Sequence, residues 1–220
     1  MTTSAQKPLR LALIGMSGAG KSFWTSRLAA SGFPATSCDQ EIEKRLEKRL
    51  AEGGHTGING VAAWMGWPDS PDYAERESIY LAEEIGSLDD ILTLLEEDPR
   101  QSLVLDTTGS LIYTGNNLLM RLRRQMTIVH LASSPQEQEL LIQRYINDPK
   151  PVLWRGAFQP KPGETPHQTV ARCYPALIAA RRRSYEALAH RTLQVAALHD
   201  GSMDAAGFLA LVQQGASHVS

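Results

Sequence analysis

The chain has 220 residues, 42% hydrophobic and 21% charged, the composition of an ordinary globular domain long enough for one good core and a small appended element. A formal net charge of −2 and a pI near 6.3 exclude the electrostatic footprint of a protein whose main partner is nucleic acid or an anionic membrane. Cys38 and Cys173 lie far apart and have no metal-ligand neighbours at zinc spacing, residues 1–8 lack the apolar core of a secretory signal, and no run approaches the ~18 apolar residues of a membrane span. The expectation is a cytoplasmic protein with reduced thiols.

Residues 11–14 form a short apolar run that predicts a buried strand. It ends in Gly15-x-x-x-x-Gly20-Lys21-Ser22, followed by a helical segment with Phe23, Leu28 and Ala29 on one side. Strand, glycine loop and helix in this order form a phosphate cradle. Gly15, Gly18 and Gly20, with Ser17 and Ala19 between them, let the backbone turn and aim its N–H groups at a phosphate, and the helix start adds its positive dipole end. Lys21 is expected on the outer phosphates of a nucleoside triphosphate and the Ser22 hydroxyl on Mg²⁺.

A short connection or weak strand at 32–37 leads to Asp39, which stands just before a helix over 40–50 and reads as its N-cap, as a functional carboxylate, or as both. An all-helical insert follows at about 57–98, with helices predicted over 58–65, 72–85 and 87–97, the last two split near Gly86. Trp64 and Trp67 read as packing residues. A second buried strand over 102–105 ends in Asp106, a carboxylate at a strand's carboxyl end where Mg²⁺ needs an oxygen ligand, although it could simply close the turn. Residues 118–124 belong to a helix and 127–131 to a third buried strand in which His130 reads as a satisfied core histidine. The next helix, over 135–146, is capped by Ser134 with Pro135 in its first turn.

Residues 147–167 carry five prolines with interleaved Lys and Arg, a long irregular segment that reads as a lid, with Lys150, Arg155 and Lys161 able to fold over phosphates, or as a solvated loop. A helix over 168–190, a strand over 192–196 and a helix over 203–213 complete the chain. Five strands alternating with helices give a parallel sheet covered on both faces.

Asp106-Thr107-Thr108-Gly109 matches the D-x-x-G of switch GTPases, but the N-K-x-D guanine-reading motif and an ABC-type signature are both absent from the sequence. Small size, the helical insert and the late basic lid favour a small-molecule kinase. Over about residues 9–212 the chain resembles the shikimate kinase family, in GMSGAGKS at 15–22, CDQEIEKRL at 38–46, KPVL at 150–153 and RRRSYEALA at 181–189. The resemblance implies a three-layer α/β P-loop kinase fold: one domain over 1–220 with a five-stranded parallel sheet, the helical insert and a mobile lid. It also implies ATP and Mg²⁺ as cofactors and a small hydroxylated substrate as partner, with no nucleic acid or membrane.

Carried over by position, Asp39 falls on the acceptor-binding carboxylate, Arg181 on the arginine that grips an acceptor carboxylate, Arg144 near the arginine beside the adenine, and Lys150 on the lid arginine. The departures are Ser37 for the first acidic residue, Ala74 for a second acceptor-binding arginine, and Thr108-Gly109-Ser110 for a glycine triplet, with Asp106 before it. Losing one charge-assisted grip costs about 1.5–3 kcal/mol, or around one to two decades of affinity for shikimate. The expected assignment is Lys21, Asp39 and Lys150 in catalysis, Asp39, Gly109 and Arg181 on the acceptor, and Ser22 with Asp106 on the metal. The alternative is a nucleotide-binding regulator or scaffold with a decayed acceptor site and a protein partner.

Overall fold

The computed structural model describes residues 8–147, 150–198 and 203–214, and every side chain among them except that of Arg144. Five strands, β1 (Arg10–Ile14), β2 (Ala35–Ser37), β3 (Leu103–Asp106), β4 (Thr127–Ala132) and β5 (Arg191–Gln194), form one sheet in the order β2-β3-β1-β4-β5 with every pairing parallel. Side chains alternate between two cores even though the central strands are buried on both faces. Ala12, Ile14, Leu105 and Ile128 join one core cluster, and Leu11, Leu13, Val104 and Val129 join the other, which makes three layers.

Helix α1 (Lys21–Ala30) covers the second face and buries Lys21, Trp24, Thr25 and Leu28. The i, i+3, i+4, i+7 face is therefore one step from the predicted one: Phe23 is 54% exposed, while Trp24 stacks at 4.5 Å on Phe208 of the C-terminal helix. The opposite face carries α2 (Cys38–Glu52), α3 (Gly57–Met65) and α4 (Tyr73–Glu97). The predicted break at Gly86 is absent, and α4 runs through it. A Cβ at Gly86 would lie 2.9 Å from Arg45 Nη1, and Arg45 pairs with Glu83 and Asp90 on either side of that glycine. Tertiary packing outweighs the ~1 kcal/mol helix cost of glycine.

After β3 come α5 (Asn116–Gln125), α6 (Pro135–Asn147) and α7 (Pro166–Leu188), and after β5 come α8 (Val195–Leu198) and α9 (Ala205–Gln214). Ser134 caps α6 reciprocally, its Oγ accepting from Glu137 N at 3.2 Å while Glu137 Oε2 accepts from Ser134 N at 2.6 Å. Thr165 and Gln168 form a second capping box that starts α7, which continues through Pro175. Among the described residues no helix is long and apolar enough to cross a membrane.

Candidate functional site

The carboxyl ends of β1, β3 and β2 meet where the sheet order reverses, the position at which open parallel sheets hold ligands. There β1 gives way to the glycine loop. Gly15, Gly18 and Gly20 have φ of 145°, 81° and 91°, and a Cβ at Gly15 would sit 2.8 Å from the Leu131 carbonyl oxygen, so the loop needs glycine there. Gly20 precedes the first turn of α1, which carries Lys21 and the exposed Ser22, while Ala19 is buried. Lys21 Nζ donates to the carbonyls of Gly15 and Met16, each at 3.1 Å. Burial lowers its pKa, and the nearby Asp106 and Asp39 charges oppose that shift.

Asp39 lies in the first turn of α2, but the N-cap is Ser37, so the cap reading of Asp39 gives way. Its Oδ1 instead accepts a 3.2 Å bond from Tyr80 Oη on α4. Burial raises the Asp39 pKa, Lys21 opposes this, Asp106 adds to it, and the Tyr80 bond lowers it. Arg181, 2% exposed on α7, donates from Nη2 to the Leu153 carbonyl at 2.6 Å and from Nε to Tyr113 Oη at 3.4 Å. Burial disfavours its charge, but the surrounding tyrosines, Tyr185 foremost, leave its pKa above normal. Lys21, Asp39, Gly109, Lys150 and Arg181 all line one small pocket of about 30 Å³.

Ser17, Gly18, Leu141, Tyr145, Lys150 and Tyr174 border a neighbouring cleft of about 380 Å³. Tyr145 and Tyr174 stack there at 4.9 Å. Lys150 belongs to both cavities, and its Nζ donates to Asn59 Oδ1 on α3. The other two lid cations go elsewhere: Arg155 lies against Glu77, with Nη1 4.0 Å from its Oε2, and Lys161 is exposed on an outer turn. Arg144 belongs to α6, but its side chain lies outside the described residues, as do residues 148–149 of the lid.

No family model matches the sequence, and no curated protein matches it. Solved structures do. A shikimate kinase from Acinetobacter baumannii in complex with shikimate aligns with a TM-score of 0.59 and 25% identity, covering 96% of this chain and 95% of that one. This chain has the shikimate kinase fold. The shikimate kinases of Aquifex aeolicus (TM-score 0.57, 18% identity, 96% of this chain and 100% of that one) and Bacteroides thetaiotaomicron (0.54, 18%, 94% and 95%) share that fold.

The shikimate kinase fold comes here with a donor set suited to a divalent cation. Asp106 is 3% exposed, and its Oδ1 has no hydrogen-bond partner among the described residues, a costly state for a buried carboxylate that a cation would relieve. Among the described residues no cluster of three or more His, Cys, Asp or Glu side chains is gathered for a metal. One buried carboxylate of this kind would suit Mg²⁺, a cation that takes one or two protein carboxylates and completes its shell with phosphate oxygens, hydroxyls or water.

Sequence reasoning missed the residues that hold this site together. Tyr73, Glu77, Tyr80 and Glu84 are buried on α4 at spacings of four, three and four, a polar stripe whose partners lie elsewhere in the chain. Tyr73 Oη donates to the Val152 carbonyl at 2.6 Å and accepts from Trp154 N at 3.1 Å, and Glu77 accepts from Arg155 N at 2.9 Å. These bonds hold residues 152–155 down, with Val152, Leu153 and Trp154 buried. His130 is buried beside Tyr185, as expected of a core histidine, but its Nδ1 has no partner among the described residues, and burial lowers its pKa to about 4, which keeps it neutral.

Proposed function

We propose that the chain, acting as a single P-loop kinase domain with a helical insert and a lid, transfers the γ-phosphoryl group of MgATP to a hydroxyl of a small, hydroxylated, anionic metabolite. The observation that carries this reading is the small pocket where Lys21, Asp39, Gly109, Lys150 and Arg181 meet, sharing Lys150 with the cleft beside the glycine loop.

The backbone N–H groups of residues 15–22 cradle the phosphates, and Lys21 leaves its two loop carbonyls to bind the transferring group. Ser22 and Asp106 would hold Mg²⁺, which supplies charge neutralisation across the phosphate oxygens. Asp39, oriented by Tyr80 and with its pKa raised by burial, orients the acceptor hydroxyl and takes its proton. Lys150, between cleft and pocket, offsets charge that builds up on the phosphoryl oxygens in transit.

Arg181 grips the acceptor's anionic group with the Nη1 edge that lies beside Gly109. A pocket of about 30 Å³ holds roughly one water, so residues 150–154 lift for an acceptor to come in and return to exclude solvent. Shikimate, which the Acinetobacter baumannii kinase binds, is the first acceptor to try, although Ala74 supplies no guanidinium for it. A coupled ADP-release assay with MgATP across shikimate, other hydroxylated acids and neutral polyols tests the reading. Acceptor-dependent ADP supports it, and none across the panel opposes it.

A further inference from the structure

Thr108-Gly109-Ser110 stands where the resembling family has three glycines, and both added hydroxyls are engaged. Thr108 Oγ1 donates to Glu84 Oε1, and Ser110 Oγ donates to Glu84 Oε2 at 2.7 Å. Glu84, 1% exposed on α4, takes no part in the chemistry above. Between the two hydroxyl residues, Gly109 lines the acceptor pocket and accepts a hydrogen bond from Tyr185 Oη on its carbonyl. A Cβ at Gly109 would lie 3.4 Å from Arg181 Nη1 and 3.6 Å from Ser17 N. Gly109 thus spans the gap between the acceptor-gripping guanidinium and the phosphate loop.

We propose that Glu84 is a positioning residue for the acceptor site, clamping Gly109 through Thr108 and Ser110 so that the pocket has a rigid floor and accepts only acceptors matched to it. The inference rests on the kinase reading for what the floor binds, but not for the clamp itself. Three glycines would leave the loop the freest backbone available, whereas two hydroxyls tied to one buried carboxylate fix the residues on both sides of Gly109. Burying a carboxyl here is costly, which is a reason for it to have a task. Groups facing it are Cys38 and Asp39 from α2, Tyr80 from α4, and Arg181 and Tyr185 from α7.

Burial pushes the Glu84 pKa up to about 7, against the lowering by its Thr108 and Ser110 bonds. Ionised, the carboxylate accepts from both hydroxyls with charge assistance; protonated, it loses that assistance and the clamp loosens.

Hydrogen–deuterium exchange of the whole protein, read on residues 106–112 at about pH 6 and about pH 8.5 and corrected for intrinsic rate, tests the clamp. The wild type is expected to protect this loop roughly tenfold better at the higher pH, Glu84→Gln to show no pH response, and Thr108→Val/Ser110→Ala to exchange roughly tenfold faster than wild type at the higher pH. Curves for both variants that superimpose on wild type at both pH values would overturn the proposal. This reading needs no acceptor, so its failure is distinct from failure of the kinase assignment. With an acceptor that turns over, Ser110→Ala is expected to raise the acceptor KM by several-fold more than the MgATP KM. Equal changes would overturn the selectivity claim.

Discussion

Tyr80 Oη donates to Asp39 Oδ1 over 3.2 Å, tying helix α4 to helix α2 at the mouth of the phosphate loop. The same face of α4 places Tyr73 and Glu77 against the backbone of residues 152–155 and Glu84 beneath Gly109. One helix face therefore braces residues 152–155, the Asp39 carboxylate and the two residues that flank Gly109.

Tyr80→Phe removes a bond that lowers the Asp39 pKa, so that pKa rises further. The acidic limb of the kcat/KM profile is expected to move to higher pH, with the MgATP KM little changed. A pH–rate profile that overlays wild type would contradict this account of Tyr80.

Asp39→Asn keeps the shape and the Tyr80 contact but cannot take a proton. Turnover is expected to fall by about 10²–10⁴-fold, while MgATP affinity by calorimetry stays within a few-fold. Full turnover in this variant would remove Asp39 from the chemistry.

Arg181→Lys retains a charge but loses the fork that reaches both Leu153 and the Gly109 side of the pocket. The acceptor KM is expected to rise by around one to two decades, the equivalent of about 1.5–3 kcal/mol. Lid peptides around residue 153 should also exchange faster. An unchanged acceptor KM would mean that Arg181 serves the lid alone.

Glu84 also sets a stability slope. Its folded pKa of about 7 lies above the 4.5 of an exposed glutamate, so the folded state holds the extra proton between those values. Its contribution is present below about pH 4.5 and is lost as pH rises through about 7, a change of about 3 kcal/mol. Glu84→Gln stays neutral and is expected to flatten this part of the urea-unfolding profile. A profile with the wild-type slope would show that Glu84 is ionised throughout.

Gly15→Ala puts a methyl group 2.8 Å from the Leu131 carbonyl at a φ of 145°. A loss of at least about 2 kcal/mol in stability, and weaker MgATP binding, is expected from calorimetry. Wild-type behaviour in both would contradict the loop geometry.

The parts of this site legible in the sequence were those whose chemistry is local. The loop over 15–22 is contiguous, and Asp106 ends an apolar strand, so spacing alone placed both. The supporting residues were hidden because their partners are distant in the chain: Glu84 meets Thr108 and Ser110 across more than twenty positions, and Tyr73 meets Val152 across 79. The helix through Gly86 was missed for the same reason, since Arg45, which needs that glycine, belongs to another helix. Trp24 rather than Phe23 turns inward because the ring it stacks on, Phe208, lies far along the chain on α9.

The central claim is transfer to an acceptor hydroxyl, and phosphorus NMR of the protein with MgATP and the acceptor panel tests it most directly. The account predicts a phosphomonoester signal that grows with ADP one for one and is lost in Asp39→Asn. Tight MgATP binding with no ADP, or ADP accompanied only by inorganic phosphate whatever acceptor is added, would contradict it and favour a nucleotide-binding regulator.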